Sequence, residues 1–553
     1  MRTIQRSIAF ILLPLFLFYG CKSYNDKEVD LPSDGNWNSA SWFYNYNAPQ
    51  LHQASSIVPV PNDFLCAPYT NPLAPERPCT LLDVINDKNP YDTYEPKVHV
   101  IFSIDDFISD IPNASMEQKG KSTREAEQTS FRVKLDSKTV LYDGERVLQL
   151  SKHPYDHSRL RNKLFFDLFS RLPYMMSLRT KFVHLYVDNQ DNGLYTHTEK
   201  VDKYYLINRG LDEDGKIYKA QDFDFSTNEA YALDDNGEPI NLDAFNQHLE
   251  IQNGKNHKGI VSIINAVNSD MSDEDFMQFF KDHFDLNNYA TWMAMNIVTA
   301  NRDTINQNFI LFNPAHSDKF YFIPWDYDGA SWDGIEYAKW QKGLYLWWSS
   351  PLHKKFLRIK EYRDAVAEKI QFIYSNYINP QTVAERIALY RPIVEPLVSA
   401  YPDSHYLSHD KWLADINMLP NKITQNIQDY QSELSAPTPY WQGVSYDKTL
   451  SLLWERSIDF AGNPIVYDIV ISKSPDMSNP IYTKTNVSES ELEIDSSGNI
   501  TFNTNLQLSA GVYYLKIIAK ELNNPANYQI AFDQYHITGG PYYFGVYTFT
   551  IGN

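Results

Sequence analysis

Asn301-Arg-Asp-Thr-Ile-Asn-Gln-Asn308, followed a short hairpin later by Phe322-Ile-Pro-Trp-Asp-Tyr-Asp-Gly329, is the stretch on which the reading of this chain turns. Asp303 and Asn308 stand five residues apart, and Asp326 and Asp328 two apart at the end of an apolar run that closes on Gly329. Carboxylates and carboxamides are hard oxygen ligands of the kind that hold Mg²⁺. A carboxylate beside them can orient an attacking oxygen, and phosphoryl transfer asks little more of a protein. Asp-x4-Asn alone is a weak signal. Joined to Asp-x-Asp-Gly after a hydrophobic strand, it carries more than either part. Asp328 also reads as an ordinary turn residue before Gly329.

The surroundings suit such a site. Alternating apolar positions predict strands near 98–103, 130–135, 146–150, 182–187 and 194–198. A helix begins near Asp156 or Ser158, with Leu160, Leu164 and Leu168 at helical spacing. From about 258 to 434 the pattern turns mainly helical, including a face of Ile260, Ile263, Ile264 and Val267, a second of Phe276, Phe279, Phe280 and Phe284, and a helix from about 286 to 300. A strand pair at 309–312 and 320–323 is set among these helices. A β-rich half followed by a helical half predicts a two-lobed α+β domain over 95–434. After the linker Ser435-Ala-Pro-Thr-Pro439, alternation returns in Leu450/Leu452/Trp454, Tyr467/Ile469/Ile471 and Tyr513/Leu515/Ile517. That spacing predicts an all-β sandwich over 438–553, similar to an immunoglobulin or fibronectin type III module.

The Asp303–Asn308 spacing is that of the catalytic loop of protein kinases, and Asp326 falls where kinases carry the metal-binding Asp-Phe-Gly. Three further blocks stand upstream: Lys119-Gly-Lys-Ser-Thr-Arg124, Leu150-Ser-Lys-His-Pro-Tyr-Asp-His-Ser-Arg-Leu-Arg-Asn162 and Asn192-Gly-Leu-Tyr-Thr-His-Thr-Glu-Lys-Val-Asp202. Taken in order with the two acidic blocks, they resemble the spore-coat protein H (CotH) family of atypical protein kinases over roughly 95–430, with Lys119 where the family usually has arginine. The resemblance implies a kinase-like fold that transfers the γ-phosphoryl of ATP to Ser or Thr of an exported protein, with Mg²⁺. It implies Asp303 as the catalytic base or a metal-proximal carboxylate, Asn308, Asp326 and Asp328 as metal ligands, Lys152 on the nucleotide phosphates and Glu199 in the nucleotide pocket. Read as residues alone, Lys152 also fits a solvated strand-end lysine, and Glu199 a partner of Lys200 or Lys203. Glu125 and Glu127 beside a phosphate site would oppose ATP. A catalytically inactive kinase-fold surface lipoprotein, serving as scaffold, adhesion or glycan-binding protein, is the alternative.

The chain of 553 residues begins with Arg2, Arg6 and an apolar run from Ile8 to Phe18 that closes on Gly20-Cys21. Residues 1–20 therefore read as a lipoprotein signal peptide with Cys21 as the lipidated residue. Residues 21–94 read as a tether and an irregular extension without strand periodicity. The expected location is the cell envelope, lipid-anchored, at the outer membrane, in the periplasm or exposed at the surface, with membrane contact through the lipid only. Cys66 and Cys79 flank a turn-rich stretch and predict a disulfide in such a compartment. A formal charge of −20 without basic clusters excludes nucleic acid as a partner; the partner expected is an exported protein substrate or surface protein. None of the fourteen histidines pairs with another at metal-site spacing. Trp347-Trp348 reads as core or, alternatively, as a sugar-stacking platform.

Overall fold

The computed structural model describes residues 31, 35–38, 50–61, 63–89, 94–332 and 336–552. The signal-peptide and Cys21 readings lie outside them. Seven strands close into a barrel: β1 (Leu51–Pro59), β2 (Lys97–Ser103), β3 (Ala114–Lys119), β4 (Ser130–Leu135), β5 (Val147–Ser151), β6 (Thr180–Val187) and β7 (Gln190–Glu199). Their order is β1-β2-β3-β4-β5-β7-β6, and β1 shuts the ring by pairing antiparallel with β2 and parallel with β6. Alternate residues of these strands fill the interior, among them Val98, Val100, Phe102, Met116, Val133, Leu148, Leu150, Val183 and Leu185. Closure leaves no unpaired edge.

The strand at Leu51–Pro59 corrects the expectation of an irregular extension up to residue 94. Gln53-Ala-Ser-Ser56 in its middle breaks the apolar alternation, and its place is fixed by backbone pairing on both sides. Just beyond it, Cys66 and Cys79 are joined by a disulfide beside a two-residue ladder of Leu65–Cys66 with Arg77–Pro78.

Helix α1 (Arg161–Phe169) leaves the barrel between β5 and β6 and starts later than its sequence suggests. Asp156 accepts from the backbone N–H of Ser158 (2.9 Å) and of Arg161 (3.1 Å), and His153 and Arg159 take left-handed φ. The chain is thus folded into a capped turn before the helix can begin. A second antiparallel sheet follows, from β8 (Lys216–Ala220), β9 (Leu249–Asn253), β10 (Phe309–Asn313) and β11 (Tyr321–Pro324), in the order β9-β8-β10-β11. It packs in one large core with α1, α2 (Lys258–Val267), α3 (Asp273–His283), α4 (Leu286–Thr299), α5 (Pro351–Arg358), α6 (Lys360–Asn376), α7 (Pro380–Val398) and α8 (His409–Glu433). Trp347 and Trp348 are buried in it, so they offer no platform to a sugar.

The C-terminal region is all-β. One sheet runs β12 (Gln442–Tyr446), β13 (Leu450–Glu455), β17 (Asn499–Asn503), β16 (Glu493–Ile494); the other runs β15 (Pro480–Ser488), β14 (Ile465–Ser472), β18 (Gly511–Glu521), β19 (Tyr528–Ile530), with β20 (Val546–Ile551) also on β18. Leu450, Leu452, Trp454 and Ile500 of the first meet Tyr467, Ile469, Leu515 and Ile517 of the second in one buried core. No helix among the described residues is long and apolar enough to cross a membrane.

Candidate functional site

The barrel and the helical body meet at a cleft of about 560 Å³, within the usual size of a small-ligand site. The acidic residues converge there. Asp303, Asn308, Asp326 and Asp328 all line it, brought together from the loop after α4 and the loop after β11. The β10–β11 hairpin sets the spacing, because its register pairs Phe309 with Pro324 and so places both loops at one end of the sheet.

Asp303 stands at the mouth. Its carboxylate accepts from Asn308 Nδ2 (2.8 Å) and Gln307 Nε2 (2.5 Å). Protein packed around it, together with the negative charges of Asp326 and Asp328, pushes its carboxyl up to about 6 against those two hydrogen bonds. Deeper in, Asp326 accepts from Asn162 Nδ2 (3.3 Å), and Asp328 meets His153 Nδ1 (3.0 Å). Burial first and the neighbouring Asp328 second raise Asp326. Burial acts upward on Asp328 too, but the His153 hydrogen bond and the charges of His153, Lys119 and Arg161 outweigh it and hold Asp328 low. The pair therefore shares its charge unequally. The backbones of His153, Asn308 and Asp326 are all left-handed, with φ of 50°, 57° and 53°. Non-glycine residues hold that conformation only where the surroundings impose it, and such residues gather at functional sites.

Ligand atoms of His153, Asp326 and Asp328 lie within 4.8 Å of one another. The donor set fits a hard divalent cation: two carboxylates, with the Asn308 amide donating its N–H to Asp303 and keeping its carbonyl oxygen for a ligand. His153 is a borderline donor, and its contact with Asp328 suits it equally to orienting that carboxylate. No sequence spacing reveals His153 here, since it is 175 residues from Asp328. Asn162 is likewise absent from the sequence assignment. Besides reaching Asp326, its Oδ1 accepts from Tyr327 N (2.8 Å), tying the acidic loop to the first turn of α1. Arg161 beside it is wholly buried, donates to Ala330 O (2.8 Å) and bridges Asp156 and Asp415 at 2.5 Å each.

Two assignments implied by the resemblance are corrected. Lys152 does not line the cleft: it is buried behind it, paired with Asp403 (2.8 Å), donating to Asn192 O (2.5 Å) and lying over the Tyr195 ring. Nor is it a solvated strand end. Glu199 is fully buried between Arg179 (2.9 Å) and Arg209 (2.8 Å), so it is a core ion-pair residue, and neither Lys200 nor Lys203 is its partner in those contacts. The lysines that line the cleft are Lys119, Lys121 and Lys219; Lys119 from β3 and Lys219 from β8 both face the Trp325 ring, at 5.9 and 5.2 Å. Lys119 also donates to Ser151 Oγ (2.8 Å). Loss of solvent in the cleft pulls Lys119 down to about 8, even though Asp326 acts to raise it. Glu125 and Glu127 stay outside the lining, so the expected conflict with a phosphate does not arise there.

The barrel and the helical body thus enclose a cleft lined by clustered carboxylates and three lysines. The family model described as CotH kinase protein matches residues 116–434, and the chain belongs to that family. It is similar to the inner spore coat protein H of Bacillus subtilis (strain 168), with 27% identity over 289 residues, covering 50% of this chain and 76% of that protein.

Proposed function

We propose that the protein is an exported atypical kinase with two lobes, the barrel side and the helical side, that transfers the γ-phosphoryl of ATP to a Ser or Thr hydroxyl of a secreted or surface protein. The observation that carries this reading is the convergence of Asp303, Asn308, Asp326 and Asp328 with Lys119 and Lys219 in one cleft. A Mg²⁺ ion on Asp326, Asp328 and Asn308 would supply positive charge to the polyphosphate. Lys119 and Lys219, their ammonium groups both over the Trp325 ring, add point charges toward the same phosphates. Asp303, with its raised carboxyl, accepts the proton of the attacking hydroxyl at Oδ; a base nearer the working pH is the more effective one. The charged N-terminus and Gly20-Cys21 support export and lipid attachment at the cell envelope, and the paired C-terminal sheets support a fibronectin type III-like module on the same surface protein.

Isothermal titration with Mg²⁺-ATP and a radiolabelled autophosphorylation assay test the reading. Asp326→Ala should abolish Mg²⁺-dependent ATP binding. Asp303→Asn should leave binding nearly intact while transfer falls by roughly two to four orders of magnitude, the contribution of a general base. Wild-type protein that neither binds ATP nor labels itself or an exported protein would instead favour the inactive scaffold. Cys21→Ser should release the protein from the membrane fraction; retention with normal processing would remove the lipid anchor from this account.

A further inference from the structure

Asn162, in the first turn of α1, reaches three parts of the acidic site with one carboxamide. Its Oδ1 accepts from the backbone N–H of Tyr327 (2.8 Å), a fixed donor, so the amide can stand only one way round. Nδ2 then lies on the other side, where its two hydrogens meet two acceptors, Asp326 Oδ1 (3.3 Å) and His153 Nε2 (3.2 Å). A ring nitrogen that accepts carries no proton. The ring proton of His153 is therefore on Nδ1, which donates it to Asp328 Oδ2 (3.0 Å). Both side chains are buried, and Asn301 Nδ2 adds a bond to Asp326 O (3.3 Å) that holds the acidic loop by its backbone as well. What is left over decides the chemistry. Among the described residues, Asp326 Oδ2, Asp328 Oδ1 and Asn308 Oδ1 accept no hydrogen bond, whereas the imidazole lone pair is already taken.

We infer that His153 and Asn162 are a positioning pair and not metal ligands: Asn162 covers the imidazole lone pair, and the site that remains is all oxygen and selects Mg²⁺ or Mn²⁺ over Zn²⁺. The inference rests on the kinase reading for the cation at Asp326 and Asp328, but not on what the nucleotide transfers. Carboxylate and carboxamide oxygens suit Mg²⁺ and Mn²⁺, while imidazole suits Zn²⁺. Two carboxylates beside an uncovered histidine would make a zinc site. The same two hydrogen bonds, from His153 to Asp328 and from Asn162 to Asp326, also fix which oxygen of each carboxylate is turned to the cation.

The test uses the full chain without nucleotide and Mn²⁺ alone, which takes the oxygen ligands that Mg²⁺ takes and is paramagnetic. Pulsed EPR reads a directly bound imidazole nitrogen as a modulation of the Mn²⁺ echo. The wild type should show none. Asn162→Ala uncovers Nε2 and should show it, and Zn²⁺ should then compete for the Mn²⁺ site about tenfold better relative to Mg²⁺. Adding His153→Asn to that variant should cancel both effects. By itself, His153→Ala should weaken Mn²⁺ binding by about tenfold or more, the usual loss when a partner of a ligand is removed. His153→Asn should restore most of it, because its amide can donate where Nδ1 did and asparagine accepts the left-handed φ of 50° found there. Nitrogen modulation in the wild type would overturn the inference by making His153 a ligand. Unchanged Zn²⁺ competition in a folded Asn162→Ala protein, or full Mn²⁺ affinity in His153→Ala, would overturn it too. Should Asn162→Ala not fold, the wild-type echo and the two His153 variants decide. A wild type that binds Mn²⁺ through oxygen alone yet gives no thermal shift with Mg²⁺-ATP would keep the positioning pair and sink the kinase reading; one that binds no Mn²⁺ would sink both.

Discussion

Lys119 ends β3 and Lys152 directly follows β5, on either side of β4 in the barrel, and their side chains do opposite work. Ser151 faces Lys119, and the next residue along a strand points the other way, so Lys152 is carried to Asp403 behind the sheet. Asp403 Oδ2 also accepts from Leu194 N (2.8 Å), and a Cβ at Gly193 (φ 74°) would run into the same oxygen. Lys152→Met should therefore leave a buried carboxylate without its cation and cost about 3–5 kcal/mol of stability, read by urea unfolding. Any nucleotide affinity it loses should follow from that. Lys119→Ala should reverse the pattern, with nearly unchanged stability and a fall in Mg²⁺-ATP affinity of about tenfold or more. A Lys152→Met protein of normal stability that fails to bind nucleotide would restore the phosphate role to Lys152. The sequence blocks hold both lysines, but only the strand register tells which side of the sheet each serves.

At the scale of elements, α4 and α5 are joined by a buried histidine. His353 of α5 shares a 2.5 Å hydrogen bond with Tyr289 and stacks on Trp292, both of α4, and burial alone pulls its pKa from 6.5 down to about 3. Above pH 6.5 the ring is neutral in both folded and unfolded chains, and the shift contributes nothing. As the pH falls below 6.5 the unfolded chain takes up a proton that the folded one refuses. Stability therefore declines until about pH 3, where the folded state titrates as well. At pH 5 this amounts to about 2 kcal/mol from this residue. His353→Gln should be less stable than wild type at neutral pH yet lose less on going to pH 5, as the urea midpoints at the two pH values would reveal. An equal loss in both proteins would place the acid sensitivity elsewhere. Elements of this kind were legible where one period ran unbroken: α4, the strands at β2 and β4 to β7, and the β10–β11 hairpin all follow their apolar spacing. β1 was hidden because its middle is polar, β8 because Lys216-Ile-Tyr-Lys219 breaks the alternation, and β9 because its alternation, Leu249-Glu-Ile-Gln252, is only four residues long. The acidic cluster was legible because its four residues lie within one short region. His153 and Lys219 were not, since only tertiary folding brings them to Asp328 and Trp325.

Across the whole molecule, the C-terminal sheets are fastened to the body by aromatic side chains. Phe532 is nearly buried and stands edge-on to Trp340 (5.1 Å), and together with Ile530 it belongs to the core of the body. Phe460 stacks on Tyr345 (6.0 Å) and meets Trp348 edge-on (5.6 Å), with Arg363 over its ring at 3.9 Å. Lys354 pairs with Glu455 across the same junction (3.1 Å). The partner residues Trp340 and Tyr345 lie just after Tyr337, which lines the cleft, so the C-terminal region braces the segment that forms one wall of the site. The fragment 438–553 keeps its own core of Leu450, Leu452, Ile469 and Ile517 and should fold alone, with cooperative unfolding and a β-type circular dichroism spectrum. The remaining body should fare worse, because removing the fragment exposes Trp340, Tyr345 and Trp348 to water. Phe532→Ala isolates the effect without deleting anything. Truncating this ring should cost about 3–5 kcal/mol, the range for an aromatic side chain lost from a core. If the two regions are held together chiefly through it, calorimetry should change from one transition in the wild type to two in the variant, with the body melting first. The Mg²⁺-ATP thermal shift of the variant should shrink as the Tyr337 wall loosens. A variant that still melts in a single transition with an undiminished nucleotide shift would mean that the cleft wall stands without the C-terminal sheets.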